Sequence, residues 1–368
     1  MALLKKLDRT LLIAMALLLL AGVLTIYSAK HARGDHSLHA RQLMWIAVGL
    51  FAMLAATAVD YRLLLALSPF LYAVNVMLLL YLLVGVEATR GARSWFDFKF
   101  IRFQPAEFCK LAVIVTLAQY LGWAKLKIHS FRFFTMAGLI VAVPMAFIAK
   151  QPDFGTAMVF FPVFLVMVFM SGARKRHLAI VVAPVLAFII IIPLLQHVPP
   201  IWNRLEPYQQ GRLLAFVDPD TDPLGTGYNA IQAKIAVGGG QLAGHGWLEG
   251  PQTQRLFLPE AHTDFVFCVF AEEWGFIFSV GLLVLYSIVI GKGLLIAYGA
   301  IDTQGTFLAM GIVTLLAFHT VFSIGMAMGL LPITGIPLPF MSYGGSFMVV
   351  VLISIGLLLN VKLRSLDE

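Results

Sequence analysis

Apolar runs recur along the chain, separated by short polar interruptions, and most are long enough to cross a hydrocarbon core of roughly 20 residues. They predict helices near Leu11–Ala29, Leu43–Val59, Leu64–Val84, Phe108–Leu121, Phe134–Ile148, Gly155–Met170 and Leu178–Leu195. Three more follow near Phe265–Ile290, Phe307–Leu330 and Ser346–Leu359, about ten spans in all. The first run follows Lys5, Lys6 and Arg9 as a signal peptide would. It is longer than a usual signal core, and Lys30 and His31 follow it where small residues would mark cleavage, so it reads as a retained helix. The longest interruption, residues 197–263, separates spans seven and eight. Within it, Tyr228–Val237 is amphipathic: Ile231, Ile235 and Ala236 share one face, and Gln232 and Lys234 turn away. Asp222 and Pro223 suit a helix start, and Gly238-Gly-Gly240 a stop, predicting a short interfacial helix with a glycine-rich re-entry.

Composition agrees with this patterning. Sixty per cent of the 368 residues are hydrophobic and 12% are charged, too little charge to cover the surface of a soluble protein of this length. The expected fold is therefore an all-α polytopic membrane protein, residues 1–368 forming one membrane domain with a large extracytoplasmic loop at 197–263. Alternate loops carry the basic clusters: Lys5/Lys6/Arg9, Arg62, Lys125/Lys127/Arg132, Arg174/Lys175/Arg176, Lys292 and Lys362/Arg364. The bias toward basic cytoplasmic loops places these inside, with both termini. Basic loops facing anionic membrane lipid account for the net charge of +7, and no nucleic-acid partner is implied. Cys109 and Cys268 lie in apolar runs and read as buried small residues. No internal repeat is evident, which counts against an inverted-repeat transporter.

Charge within a span is costly and marks a candidate site. In Arg102-Phe-Gln-Pro-Ala-Glu-Phe-Cys-Lys110, Pro105 suits a first helical turn, and Glu107 and Lys110 lie three apart on one face. They form either a structural ion pair or the lining of a wet cavity. In Gln151-Pro-Asp-Phe-Gly155, Asp153 is a cap for the next helix or a site member held at the membrane edge. Pro259-Glu-Ala-His-Thr-Asp264 brings Glu260, His262, Thr263 and Asp264 to the head of an apolar run, where partial desolvation would make Asp264 a serviceable general base. The alternative for Asp264 is again a helix cap. Leu331–Ser346 carries three prolines and three glycines, irregular backbone that survives at membrane depth only against protein or a watery cavity. Asp218, Asp220 and Asp222 alternate in a way that suits a hard cation, though turn and cap roles explain them more simply.

These motifs together resemble the SEDS family (shape, elongation, division and sporulation) of bacterial peptidoglycan glycosyltransferases. The resemblance spans essentially the whole chain. It rests on Gln104-Pro-Ala-Glu107, Gln151-Pro-Asp-Phe-Gly155, Pro259-Glu-Ala-His-Thr-Asp-Phe265 and Pro339-Phe-Met-Ser-Tyr-Gly-Gly345. Asp222-Pro-Leu-Gly-Thr-Gly-Tyr228, Ala233-Lys-Ile-Ala236, Gly246-Trp247 and Gly335-Ile-Pro-Leu-Pro339 look more like the elongation branch, RodA, than the division branch, FtsW. Ala261 departs from that, because Glu-Ala-His is equally familiar from the division branch.

The resemblance implies ten spans, with lipid II units joined on the outer face and undecaprenyl pyrophosphate released. It implies Asp264 as the residue essential for catalysis, with Glu107, Lys110 and Asp153 in the same cavity. Arg102, Gln104, His262, Thr263, Lys234 and Ser342 are the further candidates for substrate contact. Lys110, Arg102 or Lys234 would offset charge on the leaving diphosphate, with a divalent cation (Mg or Mn) as the expected cofactor. The expected partners are lipid II, the nascent glycan strand, membrane lipids and a class B penicillin-binding protein. The competing readings are a lipid II flippase, which needs charges near the midplane, and a non-catalytic scaffold, which leaves Asp264 unexplained.

Overall fold

A computed structural model describes residues 8–32, 34, 37–85, 94–98, 101–124, 129–195, 210 and 226–365. Its elements, in chain order, begin with α1 (Arg9–His31), α2 (Ser37–Ala58), the short α3 (Tyr61–Ala66) and α4 (Ser68–Gly85). A hairpin of β1 (Phe96–Phe98) and β2 (Ile101–Phe103) leads into α5 (Pro105–Ala124), α6 (Phe131–Lys150), α7 (Phe154–Met170) and α8 (Lys175–Leu195). Then follow α9 (Thr226–Gly239), the single turn α10 (Pro251–Gln254), α11 (Val266–Tyr298), α12 (Thr303–Ala327) and α13 (Gly345–Arg364).

The ten expected spans each have a helix. Seven are long and apolar enough to cross a membrane by themselves, and α7 is a shorter apolar helix. The third predicted span is divided, because Pro69 has no N–H to return to the carbonyl of Leu65. The hairpin is the one departure from all-α among the described residues; it pairs Asp97 with Arg102 across the strands. The Asp222–Pro223 start and Asp218–Asp222 lie outside the described residues, as does most of the loop before α9.

Burial sorts the helices. In α13, 89% of the most apolar stretch is covered by protein and in α12 72%, against 17% in α4, so α12 and α13 form the centre and α4 a lipid-facing wall. The tightest seam, α2 against α13, is set by Gly356, whose Cα faces the backbone carbonyl of Met53, a close approach that small residues permit between helices in lipid. At one end of that seam the Asn360 amide donates to the carbonyls of Ala56 (2.8 Å), Thr57 (3.0 Å) and Val59, and its oxygen accepts from Tyr61 N (3.2 Å). It supplies partners for the carbonyls that the end of α2 leaves open.

The helix α9 buries Ala230, Ala233 and Ala236; Ala236 is covered and Lys234 turned outward as expected, but Ile235, expected on the covered face, is exposed. Alanines let α9 lie close against α11, and a stripe containing Ile235 would hold the helices apart.

Helix α11 is broken at Gly275 (φ 74°, ψ −173°), a backbone conformation open essentially to glycine alone. The turn after α9 supplies the hydrogen bonds that the break frees. His245 N and Gly246 N donate to the carbonyls of Glu272 and Glu273 (both 3.0 Å). Phe276 N and Ile277 N donate to the carbonyls of Gln241 (2.8 Å) and Leu242 (3.2 Å). Gly275→Ala is expected to cost roughly 1–3 kcal/mol from the backbone alone and more from the abutting Ala243–Gly244 backbone. A wild-type melting temperature for that variant in detergent would contradict this.

At the end of the bundle carrying the basic clusters, Asp8 caps α1 through Leu11 N (3.1 Å) and pairs with Lys362 (2.7 Å) and Lys292 (3.6 Å). Asp302 caps α12 through Gly305 N (2.6 Å) and accepts from Tyr61 Oη (2.6 Å) and Arg62 Nε (3.2 Å). Burial by itself would raise both carboxyls, but these donors outweigh it and hold each below its ordinary value. A depressed folded-state pKa stabilises above the unfolded value of about 3.9 and is lost as pH falls through the folded one. Detergent-solubilised protein is therefore expected to keep these contributions from about pH 5 to 8 and to lose them below about pH 4. Asp8→Asn should flatten that acid limb; an unchanged limb would assign it to other groups.

Candidate functional site

The segment between α12 and α13, residues 328–344, has no regular structure, yet most of the candidate residues are tied to it. Gly335 (φ 76°) lies against the Asp264 carboxylate: a Cβ placed there would sit 3.2 Å from Oδ2. The Ser342 hydroxyl donates to the Thr263 carbonyl (2.6 Å) and accepts from Leu338 N (2.8 Å), and Tyr343 N donates to the His262 carbonyl (2.9 Å). Gln42 from α2 donates to the Ser342 carbonyl (3.3 Å), and the buried Tyr286 of α11 donates to the Pro339 carbonyl (2.6 Å). Gly155, in the first turn of α7, abuts the Thr334 carbonyl. Phe340 is buried at φ 67°, a region a bulky residue enters only when its surroundings impose it. This proline-rich segment is the hub that sets where Asp264 stands.

Asp264 does not stand at the cap position of its helix. Phe265 occupies the cap position of α11, and Asp264 lies one residue outside the helix, half-buried beside the half-buried His262 and Thr263. Asp153 is the cap of α7 (Thr156 N to Oδ1, 3.1 Å), and its other oxygen accepts from Gln104 Nε2 (3.0 Å). Gln104 N in turn donates to Ser346 Oγ at the start of α13 (3.0 Å).

Glu107 and Lys110 form the expected pair (2.8 Å), but at 3% and 2% exposure both lie inside protein, not on an open cavity. The Lys110 ammonium also meets His319 Nε2 on α12 (3.1 Å), and His319 Nδ1 meets the Pro337 carbonyl (3.0 Å). Ser342 likewise is fully covered, with its hydroxyl committed on both sides, so it holds the Thr263 backbone and does not face a substrate.

Two candidates are exposed. The exposed Arg102 guanidinium pairs with Asp97 in the hairpin (3.2 Å). The exposed Lys234 lays its side chain over Gly329, just past the end of α12. Among the described residues no group of three or more His, Cys, Asp or Glu side chains could hold a metal ion.

Three buried polar residues escape sequence reasoning although charge or polarity inside an apolar run was signal enough. One is His319. The others are Glu272 and Glu273, which end the first half of α11. Glu272 accepts from Gln252 N (2.6 Å), Thr253 N (3.1 Å) and Thr253 Oγ1 (2.6 Å); Glu273 accepts from Ser28 Oγ and Gln254 Nε2 (3.5 Å). Their side chains fasten α10, and for Glu273 also α1, to the helix break.

Residues 8–366 match the family model FtsW/RodA/SpoVE, described as cell cycle protein. The peptidoglycan glycosyltransferase MrdB of Escherichia coli (strain K12) is 36% identical over 360 residues, covering 96% of this chain and 93% of the relative. A solved chain from "Structural coordination of polymerization and crosslinking by a peptidoglycan synthase complex" superposes with a TM-score of 0.82. It shares 31% identity, with 98% of this chain and 99% of that one covered. The Rod shape determining protein RodA of Thermus thermophilus gives a TM-score of 0.72 at 27% identity, covering 98% of each chain. With a match over nearly its whole length, the chain belongs to the FtsW/RodA/SpoVE family.

Proposed function

We propose that this multi-pass membrane protein is a peptidoglycan glycosyltransferase that polymerises lipid II at the outer face of the cytoplasmic membrane, serving cell elongation and shape. The observation that carries the reading is Asp264: a half-buried carboxylate outside its helix, seated on the hub at Gly335, with His262 and Thr263 beside it. The family membership and the glycosyltransferase activity of MrdB support it.

In the reaction, the acceptor sugar's 4-hydroxyl oxygen bonds to the donor's anomeric carbon as the bond from that carbon to the diphosphate breaks. The electron pair leaves with undecaprenyl pyrophosphate, and the anomeric carbon inverts with no covalent enzyme intermediate. Asp264 takes the hydroxyl proton, and His262 and Thr263 orient the acceptor. Arg102 and Lys234 are the exposed cations suited to the leaving diphosphate, and the Arg102–Asp97 pair is a surface bridge that exchanges partners at little cost. A divalent cation would add to that charge compensation, with the half-buried Asp264 as the carboxylate that would help hold it. An apolar recess of about 260 Å³ between α4 and the hairpin, lined by Leu78, Tyr81, Phe96 and Phe103, suits a stretch of polyprenyl chain.

The basic end of the bundle, where Asp8 meets Lys292 and Lys362, faces the cytoplasm in this reading, with both termini there. A class B penicillin-binding protein that cross-links the strands is the proposed partner. The similar solved chain described as part of a peptidoglycan synthase complex supports this.

The test combines purified protein, lipid II, detergent and Mg or Mn, with and without such a partner, and resolves products by size. Glycan strands are the expected result. No strands in any condition, alongside lipid II crossing vesicle membranes, would replace the polymerase by a flippase.

A further inference from the structure

The buried pair Glu107–Lys110 is too enclosed to meet a substrate directly, so its connection to Asp264 must run through protein. That connection is visible. Pro337's carbonyl can only accept a hydrogen bond, so His319 Nδ1 carries the proton and Nε2 offers its lone pair to the Lys110 ammonium. His319 is itself 2% exposed, with its ring 5.0 Å from that of Phe347, and Lys110 Nζ lies 5.5 Å from the same ring. Its orientation is thus fixed on both edges and one face. Pro337 stands two residues from Gly335, where the Asp264 carboxylate rests.

We propose that His319 is a positioning residue, joining the Glu107–Lys110 pair on α5 to the Pro337 carbonyl and so holding the Gly335 segment at the height that aims Asp264. A rigid support matters because a displacement near 1 Å at a reacting group costs on the order of 100-fold in rate. An imidazole ring suits this role, because its two nitrogens point to opposite sides and reach α5 and the hub at once. The proposal rests on Asp264 acting at the acceptor hydroxyl. A fully active Asp264→Asn enzyme would defeat that reading, whereas the His319 variants bear on the support alone.

The test uses full-length protein and lipid II with polymerisation rates resolved into kcat and KM. His319→Leu removes both hydrogen bonds and is expected to lower kcat at least 10-fold with KM within about twofold. His319→Gln, whose amide both donates and accepts, is expected to recover kcat to within about threefold of wild type. Gly335→Ala, which crowds the Asp264 carboxylate directly, should lower kcat too, and its effect should not add to that of His319→Leu. If His319→Leu fails to accumulate in the membrane, His319→Met replaces it in the same comparison. An unchanged kcat in the apolar variant overturns the proposal. So does a His319→Gln enzyme no better than the apolar one, or full additivity with Gly335→Ala, either of which makes His319 a packing residue only.

Discussion

Asp264→Asn is expected to lower the turnover of lipid II polymerisation by about 10²–10⁴-fold, the contribution of a well-placed general base. Asparagine keeps the size and the contact with Gly335 but has no basic oxygen to take the hydroxyl proton. The fold should tolerate the change, since Asp264 is half-buried and lies outside α11. Lipid II binding should survive within a few-fold, because the loss falls on the transition state and not on the ground state. Turnover of the purified variant near the wild-type rate would remove Asp264 from the centre of the mechanism. A variant that loses binding as much as turnover would make the carboxylate a substrate anchor instead.

Lys110→Met should be the most damaging change to the fold. It leaves the Glu107 carboxylate buried without its cation, and His319 Nε2 without its donor. Removing one partner of a buried ion pair typically costs about 3–5 kcal/mol, because the remaining charge is stranded away from water. Neutralising both partners together costs far less. The expected pattern is therefore poor recovery of folded Lys110→Met, with Lys110→Met/Glu107→Gln returning most of the melting temperature. A double variant as unstable as the single would show that the loss comes from packing or from His319 and not from the stranded charge. If the double variant refolds yet polymerises slowly, the pair contributes to activity beyond holding the helices together.

Much of the architecture was legible in the order of residues. Apolar run length is a local property, so each of the ten expected spans has its helix, although α2 starts at Ser37 instead of Leu43 and α11 runs on to Tyr298 instead of Ile290. Pro105 and Asp153 occupy the helix starts assigned to them. The Glu107–Lys110 pair was legible too, because three residues along a helix are always neighbours. The division of the third span at Pro69 and the break at Gly275 were missed. A continuous apolar run conceals a change of backbone direction when the compensating hydrogen bonds come from elsewhere, here from residues 241–246. The exposed Ile235 was missed for a related reason: hydrophobic periodicity marks the oily face, but α9 packs on its alanines, where closeness outweighs side-chain size.

The sequence by itself determined the solvent, the ten apolar segments, the helix starts at Pro105 and Asp153 and a short list of polar residues that membrane burial makes expensive. These follow from hydropathy, backbone hydrogen bonding and i to i+3 geometry, all of which act within one element. Only the tertiary structure decided which of those polar residues meet. Lys110 and His319 stand 209 positions apart, Gln104 and Asp153 49 apart, and Asp264 reaches Gly335 across the whole of α12. Such pairings depend on how ten helices share one core, and the irregular segment before α13 collects them because its kinked backbone leaves carbonyls and amides free to bind side chains from every neighbour.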